Sequence, residues 1–163
     1  VRDFLLAHPF GSVVLDPVFS SSSGGSLSTE EGIASLDNRL FPYVSLVTPN
    51  LFEATRLVKQ AGLKADSQAQ LASACLELGA IGALVKGGHY SGEECTDLLA
   101  TDEEKIFTFS RKRIAGGSKV RGTGCRLATA IACFQAKGHE LKDSVGLACE
   151  YLSGYISTQV DLG

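Results

Sequence analysis

The sequence predicts a three-layer α/β/α fold with a mostly parallel sheet, and three observations predict it. Short β-branched or apolar runs alternate with longer segments of helical periodicity. The runs stop at turn residues: Asp16-Pro17, Thr48-Pro49-Asn50 and Gly87-Gly88. The chain has 163 residues, 44% of them hydrophobic and 20% charged, which is the length of one domain with enough apolar side chains for a core. In sheets of this kind ligands bind beyond the C-terminal ends of the strands. The residues that follow each run are therefore the first candidates for function.

Taken in order, Val1 to Ala7 reads as the end of a helix, and Ser12 to Asp16 as a short buried strand. Ser20 to Ser26, rich in Ser and Gly, reads as a flexible loop. Thr29 to Leu40 is a helix, with Ser28 or Thr29 as cap ahead of Glu30 and Glu31. Val44 to Thr48 is the second strand; Pro49 ends it because proline has no N–H for a ladder. Asn50 caps a helix over Leu51 to Gln60, and Gly62 lies just past its end. Asp66 to Leu78 is a helix closed by Gly79, and Ala83 to Lys86 is the third strand. Cys95 to Ala100 and Lys105 to Phe109 pair around an acidic turn. The last third is helix Cys125 to Lys137, a turn at Gly138, and helix Leu141 to Gln159. No repeat or linker divides residues 1–163, which read as one domain.

Charge and cysteine usage narrow the function. No apolar run is long enough to span a bilayer, so no membrane role is expected. Five cysteines, an odd number in no zinc or disulfide spacing, point to a reducing, cytoplasmic setting. Cys133 and Cys149 are expected to pack as small apolar residues. The net charge is −3, yet Arg111, Lys112, Arg113, Lys119, Arg121 and Arg126 follow one another with no acidic residue between them. That segment reads as a funnel for a small polyanion. The acidic total and the scarcity of nearby aromatics argue against nucleic acid.

Gly122-Thr123-Gly124-Cys125 is the most informative stretch. Two glycines let the backbone turn tightly and approach a ligand. The helix behind them presents free N–H groups and a partial positive charge, a place for a phosphate or an oxyanion. Cys125 stands at its mouth, where the dipole favours thiolate. The alternative is that Gly122 and Gly124 only make a turn. Asn50 and Glu53, three apart at a helix start, either serve a hydrated Mg²⁺ through Glu53 or exchange bonds as a capping box. Lys86, ahead of two glycines, either meets a nucleotide phosphate or is a solvated turn residue. Asp16 either orients a water on Mg²⁺, binds a substrate group, or makes an Asx turn. Asp97 is a further candidate at the same rim, and His89 reads as structural or surface.

Four segments in this order resemble one family: Val14-Leu15-Asp16-Pro17-Val18, Val47-Thr48-Pro49-Asn50-Leu51-Phe52-Glu53, Leu84-Val85-Lys86-Gly87-Gly88-His89, and Gly122-Thr123-Gly124-Cys125. Together they resemble the C-terminal part of the hydroxymethylpyrimidine/phosphomethylpyrimidine kinases of thiamine biosynthesis, within the ribokinase-like superfamily. The resemblance implies an N-terminally truncated ribokinase-like domain, with ATP and Mg²⁺ as cofactors and a small pyrimidine as substrate. It implies Glu53 for the metal, and Lys86, Asn50, Thr123 and Asp16 for ATP and its phosphates. Cys125, with Gly122 and Gly124, would stand at the reacting phosphoryl group, Cys125 where sugar kinases keep an aspartate base. Two alternatives are a pyridoxal-type vitamin kinase and a non-catalytic nucleotide- or pyrimidine-binding remnant; a homo-oligomer is a further expectation. Arg121 and Arg126 depart from the family's pattern of His before and Thr after the glycine-cysteine motif.

Overall fold

The structure is a computed structural model that describes residues 1–8, 11–19, 25, 27–88, 92–101 and 105–162, without the side chains of residues 37 and 38. Five strands form one sheet in chain order: β1 (Val14–Leu15), β2 (Leu46–Val47), β3 (Gly82–Val85), β4 (Glu94–Thr101) and β5 (Ile106–Lys112). β1, β2 and β3 are parallel, whereas β4 runs against both β3 and β5. Four of the five strands thus point the same way, as the sequence predicts.

Helices cover both faces. α2 (Glu30–Arg39), α3 (Leu51–Gln60) and α4 (Gln68–Glu77) lie on one face, and α5 (Thr123–Ala136) and α6 (Leu141–Asp161) on the other. A short helix, α1 (Arg2–Ala7), precedes the sheet. The alternation of side chains along each strand decides which face a residue feeds. Leu46, Leu84 and Leu99 join Leu127, Ile131, Val145 and Leu152 of α5 and α6. Val47 and Ala83 join Phe19, Ile33 and Leu57, while Val85 and Ala100 meet Ala54, Val58 and Leu71. Each of the large apolar side chains fully buried here stabilises the fold by about 1.5–3 kcal/mol.

Two helix starts follow the predicted caps: Thr29 Oγ1 accepts from the Gly32 N–H (3.1 Å) and Asn50 Oδ1 from the Glu53 N–H (2.9 Å). At a third, Ser67 Oγ accepts from the Gln70 N–H (3.2 Å). α4 starts at Gln68 and not at Asp66 because Ser67 takes the cap. β1 is shorter than the predicted Ser12–Asp16, because the Val13 N–H bonds to Ser45 Oγ (3.1 Å) and leaves the ladder. The β4–β5 hairpin is longer than predicted. Its antiparallel register carries polar Glu94 opposite Lys112, residues that an apolar pattern does not mark as strand. Most of the Ser20–Ser26 loop, and His89, lie outside the described residues.

Candidate active site

Asp16 leaves the end of β1 and gathers three elements. Its Oδ1 accepts from Lys86 Nζ at 2.8 Å and from Thr48 Oγ1 at 3.2 Å. The Cys125 thiol, on the first turn of α5, lies close enough to the Asp16 carboxylate for that charge to raise its pKa. Lys86 follows β3 and extends the sheet by one bridge to Asn50. A Cβ at position 124 would lie 3.1 Å from Lys86 Nζ, so the glycine lets the ammonium approach the helix end. The sheet therefore brings Asp16, Asn50, Lys86 and Gly124-Cys125 to one rim, the rim at which the sequence places them. Thr48 was legible only as part of a turn; its role as a donor to Asp16 comes from its place directly after β2.

Glu53 and Asn50 form a capping box. The Asn50 N–H donates to Glu53 Oε2 (2.7 Å) while Asn50 Oδ1 accepts from the Glu53 N–H. Of the two uses open to Glu53, capping is thus realised. Glu53 is also only 4% exposed, and burial raises its carboxyl pKa, against the Asn50 N–H and Lys86, which favour the charged form. Among the described residues no group of three or more His, Cys, Asp or Glu could hold a metal ion by itself. Mg²⁺ needs less than that: one or two carboxylates and the oxygens of a phosphate suffice. Glu53, on which the charges of Lys86 and Asp16 both act, is the carboxylate that could meet that need.

The helix end is open. Gly122 takes a left-handed conformation (φ 72°), which a side chain would strain, and no side chain caps α5. The first N–H groups of a 14-residue helix therefore lack intrahelical acceptors and concentrate partial positive charge at Thr123-Gly124-Cys125. Cys125 differs from the thiolate expected there, because its pKa is raised. Partial burial and the neighbouring Asp16 carboxylate outweigh Lys86 and the backbone, which favour the charged form.

The basic segment is less free than a funnel requires. Arg111 donates to Asp97 Oδ2 (2.7 Å), and Arg113 to the carbonyls of Gly88 (2.9 Å) and Gly92 (3.0 Å). Arg126 lies 3.8 Å over the Tyr155 ring and donates to Tyr151 Oη (3.3 Å). A cavity of about 320 Å³ nevertheless opens beside the helix end, lined by Gly88, Arg111, Lys112, Arg113, Thr123 and Ile156. Asp97 is not at the rim but fully buried behind the Lys86-Gly87-Gly88 turn. Cys149 is buried as expected, but Cys133 is exposed and lines a second cleft of about 540 Å³ with Cys125 and Arg126. Its helical position is right and its face is wrong: Cys133 lies two turns from Cys125, on the same side of α5.

Comparison with known proteins identifies the family. A sequence profile described as phosphomethylpyrimidine kinase matches residues 1–163. The hydroxymethylpyrimidine/phosphomethylpyrimidine kinase of Haemophilus influenzae is 32% identical over 166 residues, covering 100% of this chain and 61% of that protein. That of Rhizobium meliloti is 39% identical over 145 residues, covering 88% of this chain and 54% of that one. Among solved structures, phosphomethylpyrimidine kinase of Clostridium difficile superposes with a TM-score of 0.72 at 28% identity, over 95% of this chain and 62% of that one. Pyridoxal kinase of Staphylococcus aureus, in complex with AMP-PCP and pyridoxal, has a TM-score of 0.78 at 23% identity, over 93% of this chain and 54% of that one, a likeness of fold. The chain spans 54–61% of the two curated relatives just described. No described helix is long and apolar enough to cross a membrane. By its sequence match over the full 163 residues, the chain belongs to the phosphomethylpyrimidine kinase family.

Proposed function

We propose that the chain carries the phosphoryl-transfer site of a kinase that uses MgATP to phosphorylate the hydroxymethyl group, or the phosphate, of an aminopyrimidine in thiamine biosynthesis. The observation that carries this reading is the Lys86–Asp16 pair set against the uncapped start of α5 at Gly124-Cys125. Phosphoryl transfer asks the protein mainly for positioning and for stabilisation of spread negative charge. Lys86 and the N–H groups of Thr123, Gly124 and Cys125 supply both. The acceptor oxygen forms a bond to the terminal phosphorus, the bond to the ADP oxygen breaks, and the acceptor's proton passes to the Cys125 sulfur as the thiol proton passes to the Asp16 carboxylate. Glu53 would hold Mg²⁺, which when bound neutralises charge on the phosphate oxygens. The free cysteines favour a reducing compartment.

ADP release tests this reading. With MgATP present, hydroxymethylpyrimidine or its phosphate is expected to stimulate release, and pyridoxal to do so much less. Stimulation by pyridoxal in preference to the pyrimidines would move the chain to the vitamin-kinase alternative.

A further inference from the structure

Asp97, on β4, is fully buried, and its two oxygens serve two different elements. Oδ1 accepts from the Gly87 N–H at 2.9 Å, in the turn directly after Lys86. Oδ2 accepts from a terminal nitrogen of Arg111 on β5 at 2.7 Å. The same turn is held at neighbouring positions too. Gln68 Nε2 bridges the carbonyls of Val85 (2.8 Å) and Thr96 (3.0 Å), and Arg113 reaches the Gly88 carbonyl (2.9 Å). The packing leaves no slack, since a Cβ at Gly87 would fall 1.9 Å from the Thr96 carbonyl oxygen.

Arg111 is the outer half of this arrangement. That terminal nitrogen, which also lies 3.5 Å from Cys149 Sγ, makes its only hydrogen bonds among the described residues. The side chain lines the cavity of about 320 Å³ that also touches Gly88 and Thr123. A buried carboxylate paired with a guanidinium is weak support for stability alone, because desolvation cancels much of the attraction. It does fix orientation, and here it fixes Arg111, which lines that cavity, and Gly87, whose neighbour Gly88 lines it too.

We infer that Asp97 is a positioning residue for nucleotide phosphates: one oxygen sets the turn that presents Lys86, and the other aims Arg111 at the cavity beside the start of α5. A diphosphate that reaches from Lys86 across the start of α5 into that cavity is then held between Lys86, Arg111 and the N–H groups of Thr123 and Gly124. This rests on the kinase reading above.

Titration of ADP and of adenosine against the wild-type chain, Asp97→Asn, Arg111→Lys and the double variant tests it. Asn keeps an acceptor for Gly87 but gives up the charge that aims Arg111; Lys keeps the charge but lacks the fork that serves two partners. Each single variant is expected to weaken ADP binding about tenfold, or about 1.4 kcal/mol, and to leave adenosine binding unchanged. The double variant is expected to be little weaker than either single one. Parallel losses of ADP and adenosine, or unchanged ADP binding in both variants, overturn the inference. Wild-type chain that binds neither ligand sinks the kinase reading and this inference with it; wild-type binding with indifferent variants sinks the inference alone. Should Asp97→Asn lose cooperative melting, Arg111→Lys on the edge strand decides by the same ADP-to-adenosine comparison.

Discussion

Replacement of Cys125 by alanine is expected to lower turnover about 100-fold or more while ADP affinity stays within about twofold, the span of a single positioned proton-transfer group. The residue is exposed on the first turn of α5, so its loss leaves no cavity in the core. The N–H groups at the start of α5 belong to the backbone and remain in place. Asp16 keeps Lys86 and Thr48 as donors, so no carboxylate is orphaned. What disappears is the thiol beside Asp16, a group that matters only when the acceptor loses its proton. Losses confined to kcat mark an interaction made in the transition state. Cys125→Ser, which keeps an O–H donor for Asp16, is expected to retain more activity than Cys125→Ala. Equal losses in kcat and in ADP affinity would contradict a place at the reacting centre.

Glu53→Gln is expected to raise the Mg²⁺ concentration for half-maximal activity at least tenfold, about 1.4 kcal/mol of lost metal binding. Gln at this position still accepts from the Asn50 N–H, so the capping box and the start of α3 survive. Only the negative charge is removed. An unchanged Mg²⁺ requirement would leave capping as the sole work of Glu53. The stability of the same variant has a defined sign. Burial raises the folded-state pKa of Glu53 above its ordinary 4.5, so the folded protein holds that proton more tightly than the unfolded chain. The associated stability is present below pH 4.5 and is lost as pH rises through the raised folded value. Above that window the ionised side chain is a cost that Gln lacks. Thermal melting at pH 7 is therefore expected about 1–3 °C higher for Glu53→Gln than for wild type, on the scale of 2–4 °C per kcal/mol. The difference is expected to close below pH 4.5.

Much of this site follows from the sequence because its parts obey local rules. A β-branched run closed by Asp16-Pro17, a cap at Asn50 and a left-handed glycine before α5 each depend on a few adjacent residues. The strand-end rule of open α/β sheets then brings them to one rim without knowledge of any contact. Properties that depend on neighbours distant in sequence were not accessible in this way. The raised pKa of Cys125 comes first from burial and then from Asp16, 109 positions earlier, whereas the helix dipole alone favours the opposite direction. The burial of Asp97 depends on Arg111 across the hairpin, and on the Gly87 N–H that it satisfies. Arg111, Arg113 and Arg126 form a positive segment in sequence, but their partners are a carboxylate, backbone carbonyls and tyrosines. Composition gives the charges and only the fold gives the pairings.

In the proposed kinase, phosphates are held between Lys86 and the open start of α5. Addition of ADP to the ¹⁵N-labelled chain, followed by its amide NMR spectrum, tests that claim most directly. The account predicts that the amide signals of Gly87, Thr123, Gly124 and Cys125 move together and saturate with one affinity. Saturating ADP that leaves these four amides in place, or moves a set elsewhere on the fold, would contradict it.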